Sequence, residues 1–205
     1  MALKTITRAM AASAIVLSQP ALAQDAAPVA ARNTAGLPAE LRAIDDMLTG
    51  GLMNDPTRID WDGYGDRFTK ELIVDESYPG GGAAVRVTMA APGEIYAGGL
   101  NIPLLAGVEN GDVVTIGFFA RAIETGETDG MGRVGVRFQR NSEPYPGFGD
   151  SVVMVGPEWG FHEVSATADR SIPRDAIVAL QFGLARQVVE IGQAIVVSGT
   201  PTVVD

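Results

Sequence analysis

The sequence predicts an all-β protein, an antiparallel β-sandwich of jelly-roll type preceded by one short N-terminal helix. Three observations carry that expectation. Runs rich in Val, Ile and Phe recur through the chain from residue 71 to residue 199. Turn-forming clusters separate most of them, among them Pro79-Gly80-Gly81-Gly82, Asn110-Gly111-Asp112 and Asp129-Gly130. No helical pattern intervenes between the runs, which argues against a parallel α/β sheet.

Taken in chain order, the first segment is not part of the fold. Lys4 and Arg8 precede an apolar stretch, Ala9 to Leu17, that ends in Ala21-Leu22-Ala23. Cations, a short apolar run and small residues at the cleavage positions form a secretory signal, 1–23, with cleavage expected before Gln24. The run is too short to span a bilayer, which takes about 20 apolar residues. An exported protein, periplasmic or secreted, is therefore expected. Residues 24–36, Ala-rich and interrupted by Pro28, read as a flexible leader. The domain is expected over 37–205. It starts with a helix near 38–49, where Pro38 suits a first turn, Leu41, Ile44 and Leu48 recur at helical spacing, and Gly50-Gly51 ends the run. The strand-like runs follow at 71–75, 83–90, 112–122, 133–140, 151–155, 161–166, 176–185 and 189–199. Segment 94–104 is a further candidate.

Charge and composition narrow the function classes. Removing the 23-residue signal leaves 182 residues and takes away two cations, so 13 Lys and Arg face 25 Asp and Glu, a net −12. Such a surface repels nucleic-acid phosphates and anionic lipid, so neither partner is expected, nor is membrane insertion. There is no cysteine, which removes thiol catalysis, thiolate zinc sites and iron–sulfur clusters. His162 is the only histidine. It cannot build a His-rich metal site alone, and no Gly-x-Ser-x-Gly elbow accompanies it, so it reads as a surface strand residue. Gly80-Gly81-Gly82 is a turn, because no Gly-Lys-Ser/Thr follows. Asp60, Asp62, Asp66, Asp75, Glu76, Glu158, Glu163 and Glu190 offer carboxylates for glycoside chemistry, but no pair stands out. No catalytic residue and no cofactor is assigned.

Period-two alternation sorts the strands into faces. Val114, Ile116, Phe118, Ala120 and Ala122 oppose Thr115, Gly117, Phe119 and Arg121. Val134, Val136 and Phe138 oppose Arg133, Gly135, Arg137 and Gln139. Val178, Leu180, Phe182 and Leu184 oppose Ile177, Ala179, Gln181 and Gly183. If these strands are neighbours, Arg121, Arg137, Gln139 and Gln181 form one polar sheet face.

The stretch GDVVTIGFFARA, then RVGVRFQ, EWGFHEVSATA, AIVALQFGLARQ and VVEIGQAIVV resembles carbohydrate-binding modules of families four, nine and twenty-two over residues 57–204. Those domains share a galactose-binding-like jelly roll. The resemblance implies non-catalytic binding of an oligosaccharide or polysaccharide on a concave sheet face. Arg121, Arg137, Gln139 and Gln181 would bond hydroxyls, and Trp61, Tyr64, Tyr96 and Tyr145 are the candidate rings for stacking on sugars. It places Trp159 where the sandwich core closes. A structural calcium ion occurs in many such modules, and Asp60-Trp61-Asp62-Gly63-Tyr64-Gly65-Asp66 partly echoes a calcium loop without the rest of an EF-hand. Trp61 has an alternative place, packed on the preceding helix. Two other functions stay open at this point: a structural or adhesive envelope protein using the sandwich for protein contacts, and a glycoside-processing enzyme with two carboxylates in a cleft.

Overall fold

The structure, a computed structural model, describes residues 36–48 and 50–203. The segments expected as export signal, 1–23, and leader, 24–36, lie outside the described residues except for Gly36. A 3-10 turn, Ala39–Leu41, runs into a short helix α1, Arg42–Met47. Ten strands follow: β1 Asp62–Tyr64, β2 Phe68–Val74, β3 Ala83–Met89, β4 Gly99–Pro103, β5 Val113–Thr125, β6 Gly132–Arg140, β7 Gly147–Val155, β8 Gly160–Thr167, β9 Ala176–Gln181 and β10 Gln187–Ser198. They build two antiparallel five-stranded sheets, ordered β1-β4-β9-β6-β7 and β2-β3-β10-β5-β8. The sandwich expected from the sequence is therefore the observed architecture. Among the described residues no helix is long and apolar enough to cross a membrane.

The alternation read from the sequence sets the core. Val114, Ile116, Phe118, Ala120 and Ala122 of β5 meet Val134, Val136 and Phe138 of β6 and Val178 and Leu180 of β9 between the sheets, all buried. Burying one such side chain contributes about 1.5–3 kcal/mol. A smaller cluster lies outside this core. Leu37, Leu41 and Leu48 pack on Leu52, Ile195 and Val197, and so seat the N-terminal helix on the second sheet. The buried Asp45 accepts a hydrogen bond from the Leu52 backbone N–H at 2.6 Å and ties the helix end to that seat.

Two elements differ from the sequence expectation. Segment 94–104 divides into a 3-10 turn at Ile95–Ala97 and strand β4. The Gly/Asp-rich stretch around Tyr64, expected as a loop, contains edge strand β1, which pairs Asp62 with Asn101 and Tyr64 with Gly99. Three residues with Gly63 at their centre and Gly65 directly after them carry too little alternation to be read as a strand.

Candidate functional site

Which side chains share a surface follows from sheet order and register. In the first sheet, Tyr64 pairs with Gly99, Gly99 with Gln181, and Gln181 with Gly135. The next outward row is Asp62, Asn101, Ala179 and Arg137, and the one after it Pro103, Ile177 and Gln139. Small residues at 99, 135 and 179 hollow the centre of this face. A Cβ at Gly99 would lie 2.6 Å from the Tyr64 hydroxyl, and one at Gly135 2.6 Å from Ile95 Cδ1. The glycines thus make room for the Tyr64 ring and for the 3-10 turn that carries Tyr96. A Cβ at Gly147 would meet Arg137 Nε at 2.8 Å, so the Arg137 side chain lies across β7.

The result is a groove of about 780 Å³. Tyr64, Gln139, Gln181 and Arg137 line it, together with Tyr96, Tyr145, Asn101, Asn141 and Asp150. Its volume lies in the range of sites that enclose small molecules, roughly 300–1,000 Å³. Six of the eight residues singled out in the sequence thus converge. Tyr96 and Tyr145 are 61% and 48% exposed, Tyr96 on the turn before β4 and Tyr145 on the β6–β7 connection. Exposed rings in a groove are free to stack on the apolar face of a ligand.

The β6–β7 connection is held from below. Asp175 accepts hydrogen bonds from Arg140 Nε at 2.8 Å and Ser142 Oγ at 2.9 Å, and the Arg140 guanidinium keeps its carboxyl below the usual carboxylate range. Tyr145 sits at φ 54°, the left-handed region that non-glycine residues rarely adopt. Its N–H bonds the Ser142 carbonyl at 2.8 Å. Non-glycine backbone of this kind recurs at ligand clamps.

The groove sets hydrogen-bonding groups into a largely apolar lining and is not strongly charged. Gln181 and Gln139 are 4% and 8% exposed, yet they face the groove. Burial pushes the Tyr64 hydroxyl above the ordinary tyrosine value, and its contact with the Gln181 side chain pulls the other way. Arg137 is ion-paired with Asp150, so its charge is balanced in place. Asp150 is the one carboxylate among the described residues lining the groove. Glycoside hydrolysis by paired carboxylates takes two. Among the described residues no group of three or more His, Asp or Glu side chains is placed to hold a metal ion.

Arg121 and Trp61 are not in this groove. Arg121 lies on β5 of the second sheet, whose outer face is a separate surface. There it forms a ladder with Glu71, Arg86 and Glu190: Arg86 and Arg121 each reach the fully buried Glu190 at 2.7 Å, Arg86 bonds Glu71 at 3.1 Å, and Arg121 also pairs with Asp75. The expectation of one polar face joining Arg121 to Arg137, Gln139 and Gln181 required β5 to sit beside β6 or β9, and alternation within a strand cannot say which sheet it joins. Trp61 is 3% exposed in the core between the sheets, so its ring is not packed on the helix, and the residue lines a separate, smaller cavity at one end of the groove. Its carbonyl accepts a bond from Lys70 Nζ.

Two further expectations are corrected. Trp159 covers the outer face of the second sheet, not the closing core, with its ring 4.8 Å from Tyr78 and under the Arg121 guanidinium at 4.9 Å. His162 is half-buried and not a surface residue. Its partner on β5 is Phe118, so the imidazole points inward, 5.8 Å from that ring. The groove residues that sequence reasoning missed are Asn101, Asn141 and Asp150. Asn101 belongs to a strand with a weak signal, Asn141 opens a connection whose path no periodicity predicts, and Asp150 lies in the early part of β7, which the alternation marks only from residue 151.

At the level of sequence, no family profile and no curated protein matches the chain. Solved structures do. The fold is that of carbohydrate-binding modules. The second N-terminal cellulose-binding domain of β-1,4-glucanase C from Cellulomonas fimi superposes with a TM-score of 0.51 at 17% identity, over 73% of this chain and 92% of that one. A family-four carbohydrate-binding module aligns at 0.48 and 17% identity, over 65% and 96%. A family 22 xylan-binding domain from Paenibacillus barcinonensis aligns at 0.48 and 12% identity, over 67% and 85%. The first of these likenesses supports the fold, and the site is argued from the side chains present.

Proposed function

We propose that the protein is a non-catalytic carbohydrate-binding module that holds an oligosaccharide or a polysaccharide chain in the groove on β1-β4-β9-β6-β7. The observation that carries this is the convergence of Tyr64, Tyr96 and Tyr145 with Arg137, Gln139 and Gln181 in one groove. Stacking rings above and amide or guanidinium donors below suit a sugar, whose ring faces are apolar and whose edges are hydroxyls. Tyr96 and Tyr145 stack, Gln139 and Gln181 bond hydroxyls, and Arg137, oriented by Asp150, donates to a ring or hydroxyl oxygen. The binding of cellulose and xylan named for structural neighbours suits the same reading. So does the secretory signal expected at 1–23, which would place the module where polysaccharides are met.

Exposed apolar side chains favour protein contacts less. Leu72 and Val74 lie on β2, and Val152 and Met154 on β7. Those strands are edges on opposite sides of the sandwich, so the four do not form one patch.

The test is affinity electrophoresis on a panel of soluble xylans, β-glucans and mannans, followed by calorimetry on the best ligand. At least one neutral polysaccharide should retard the protein. Tyr96→Ala and Tyr145→Ala should each weaken binding by about 5–30-fold, the equivalent of about 1–2 kcal/mol for a lost stacking ring. Retardation by no polysaccharide contradicts the reading.

A further inference from the structure

The groove does not run the full length of its sheet face. A second cavity of about 230 Å³ continues from one end, lined by Asp60, Asp62, Pro103, Leu105 and Ile177 among others. The two spaces share two lining residues, Asn101 and Asn141. These two are bonded to each other: Asn101 Nδ2 donates to Asn141 Oδ1 at 3.3 Å. Asn101 stands on β4 and Asn141 directly after β6, with β9 between those strands. The bond therefore spans β9 as a bar across the groove floor. Alternation puts Ile177 of β9 on the same face as Gln139, yet it is only 3% exposed. This end of the face is roofed.

We infer that the Asn101–Asn141 pair is a stop that ends the binding groove and limits the length of carbohydrate it engages. The inference rests on the carbohydrate-binding reading. A ligand lying on Gln181, Arg137 and Gln139 meets the bar on its way to the second cavity, so sugar units added in that direction do not reach the residues that line it. The pair acts on ligand length without contributing a stacking surface. Its own bonding is weak for a fixed structural element. The bond is longer than the usual 2.9–3.0 Å for such pairs, and Asn101 Oδ1 is buried without a partner. Removing the bar therefore costs the fold little. It would join the two cavities, adding Asp62 and Asp60 to the face on offer.

The experiment measures affinity for cello- and xylo-oligosaccharides, disaccharide to hexasaccharide, by calorimetry, for the wild-type chain and for Asn141→Ala and Asn101→Ala. In the wild type, affinity should rise with length and then reach a plateau within the series. In the variants the plateau should move to a longer oligosaccharide. Thermal melting verifies that the variants fold, and Asn141, being exposed, is the safer of the two. A wild-type affinity that climbs through the hexasaccharide, or variants with an unchanged length profile, overturns the stop and leaves carbohydrate binding standing. No affinity of the wild type for any oligosaccharide or polysaccharide overturns both readings.

Discussion

Arg121 and Arg137 occupy equivalent-looking places in the sequence, each on the polar side of an alternating strand, and the structure gives them different work. Arg137 is half-buried at the groove and balanced by the exposed Asp150. Arg121 reaches a glutamate with no solvent exposure and lies over an indole. The first suits a ligand, the second the fold. Arg121→Ala should lower unfolding free energy by about 2 kcal/mol, because a charged hydrogen-bond partner of a buried carboxylate is lost while Arg86 still holds it. Carbohydrate affinity should be unchanged. Chemical denaturation and calorimetry on the same variant separate the two effects. His162 makes a second residue-scale case. Burial holds its imidazole below the ordinary 6.5, with the hydrogen bond to Ala120 opposing. A histidine with a depressed folded value takes up its proton more readily when unfolded. Stability is therefore insensitive to this group above 6.5 and falls as pH drops through that value. Melting temperature should decline from pH 7.5 to 5.5, and His162→Gln should remove most of that slope. The Asp75, Asp129 and Asp175 carboxyls, held below 3.8 by their hydrogen-bond partners, lose their contribution only at lower pH and do not confound the window.

At the scale of elements, the groove depends on backbone as much as on side chains. Gly135 lets the Ile95–Ala97 turn lie against β6, because any Cβ there would fall within 3 Å of two Ile95 atoms. Gly135→Val should displace that turn, and with it Tyr96, and so reduce carbohydrate affinity at least as much as Tyr96→Ala does. Strand pairing at Gln181 and Val152 should persist, so circular dichroism should remain that of the wild type. These elements were unevenly legible in the sequence. β5, β6, β9 and β10 are long and alternating, and the sequence marks them together with their core faces. β1 has three residues and was hidden by its glycines. Loop paths are not legible either: residue type and a Pro- and Gly-rich segment mark Tyr145 as a candidate, but what presents it is the Asp175 anchor, made between residues 33 and 35 positions apart in sequence.

At the scale of the molecule, the two sheets divide the labour. One carries the groove. The other has its outer face occupied by the protein itself, with the Leu37–Leu48 segment on Val197, the Tyr78 ring on Phe119 and Trp159, and the stretch near Thr200–Val203 bonded to Thr115 and Glu163. Period-two alternation finds a polar face on strands of both sheets and cannot tell the free one from the covered one. Six candidates converged because their strands or connections belong to the first sheet. Arg121 separated because its strand belongs to the second. The most direct measurement of the central claim is an NMR titration of the isotope-labelled protein with cellohexaose and xylohexaose. Shift changes are expected at the side-chain amides of Gln139 and Gln181 and the backbone amides near Tyr96 and Tyr145, with Arg121, Trp159 and Glu190 unmoved. Shifts confined to the Arg121 face, or none with any soluble glycan that the panel covers, would contradict that claim.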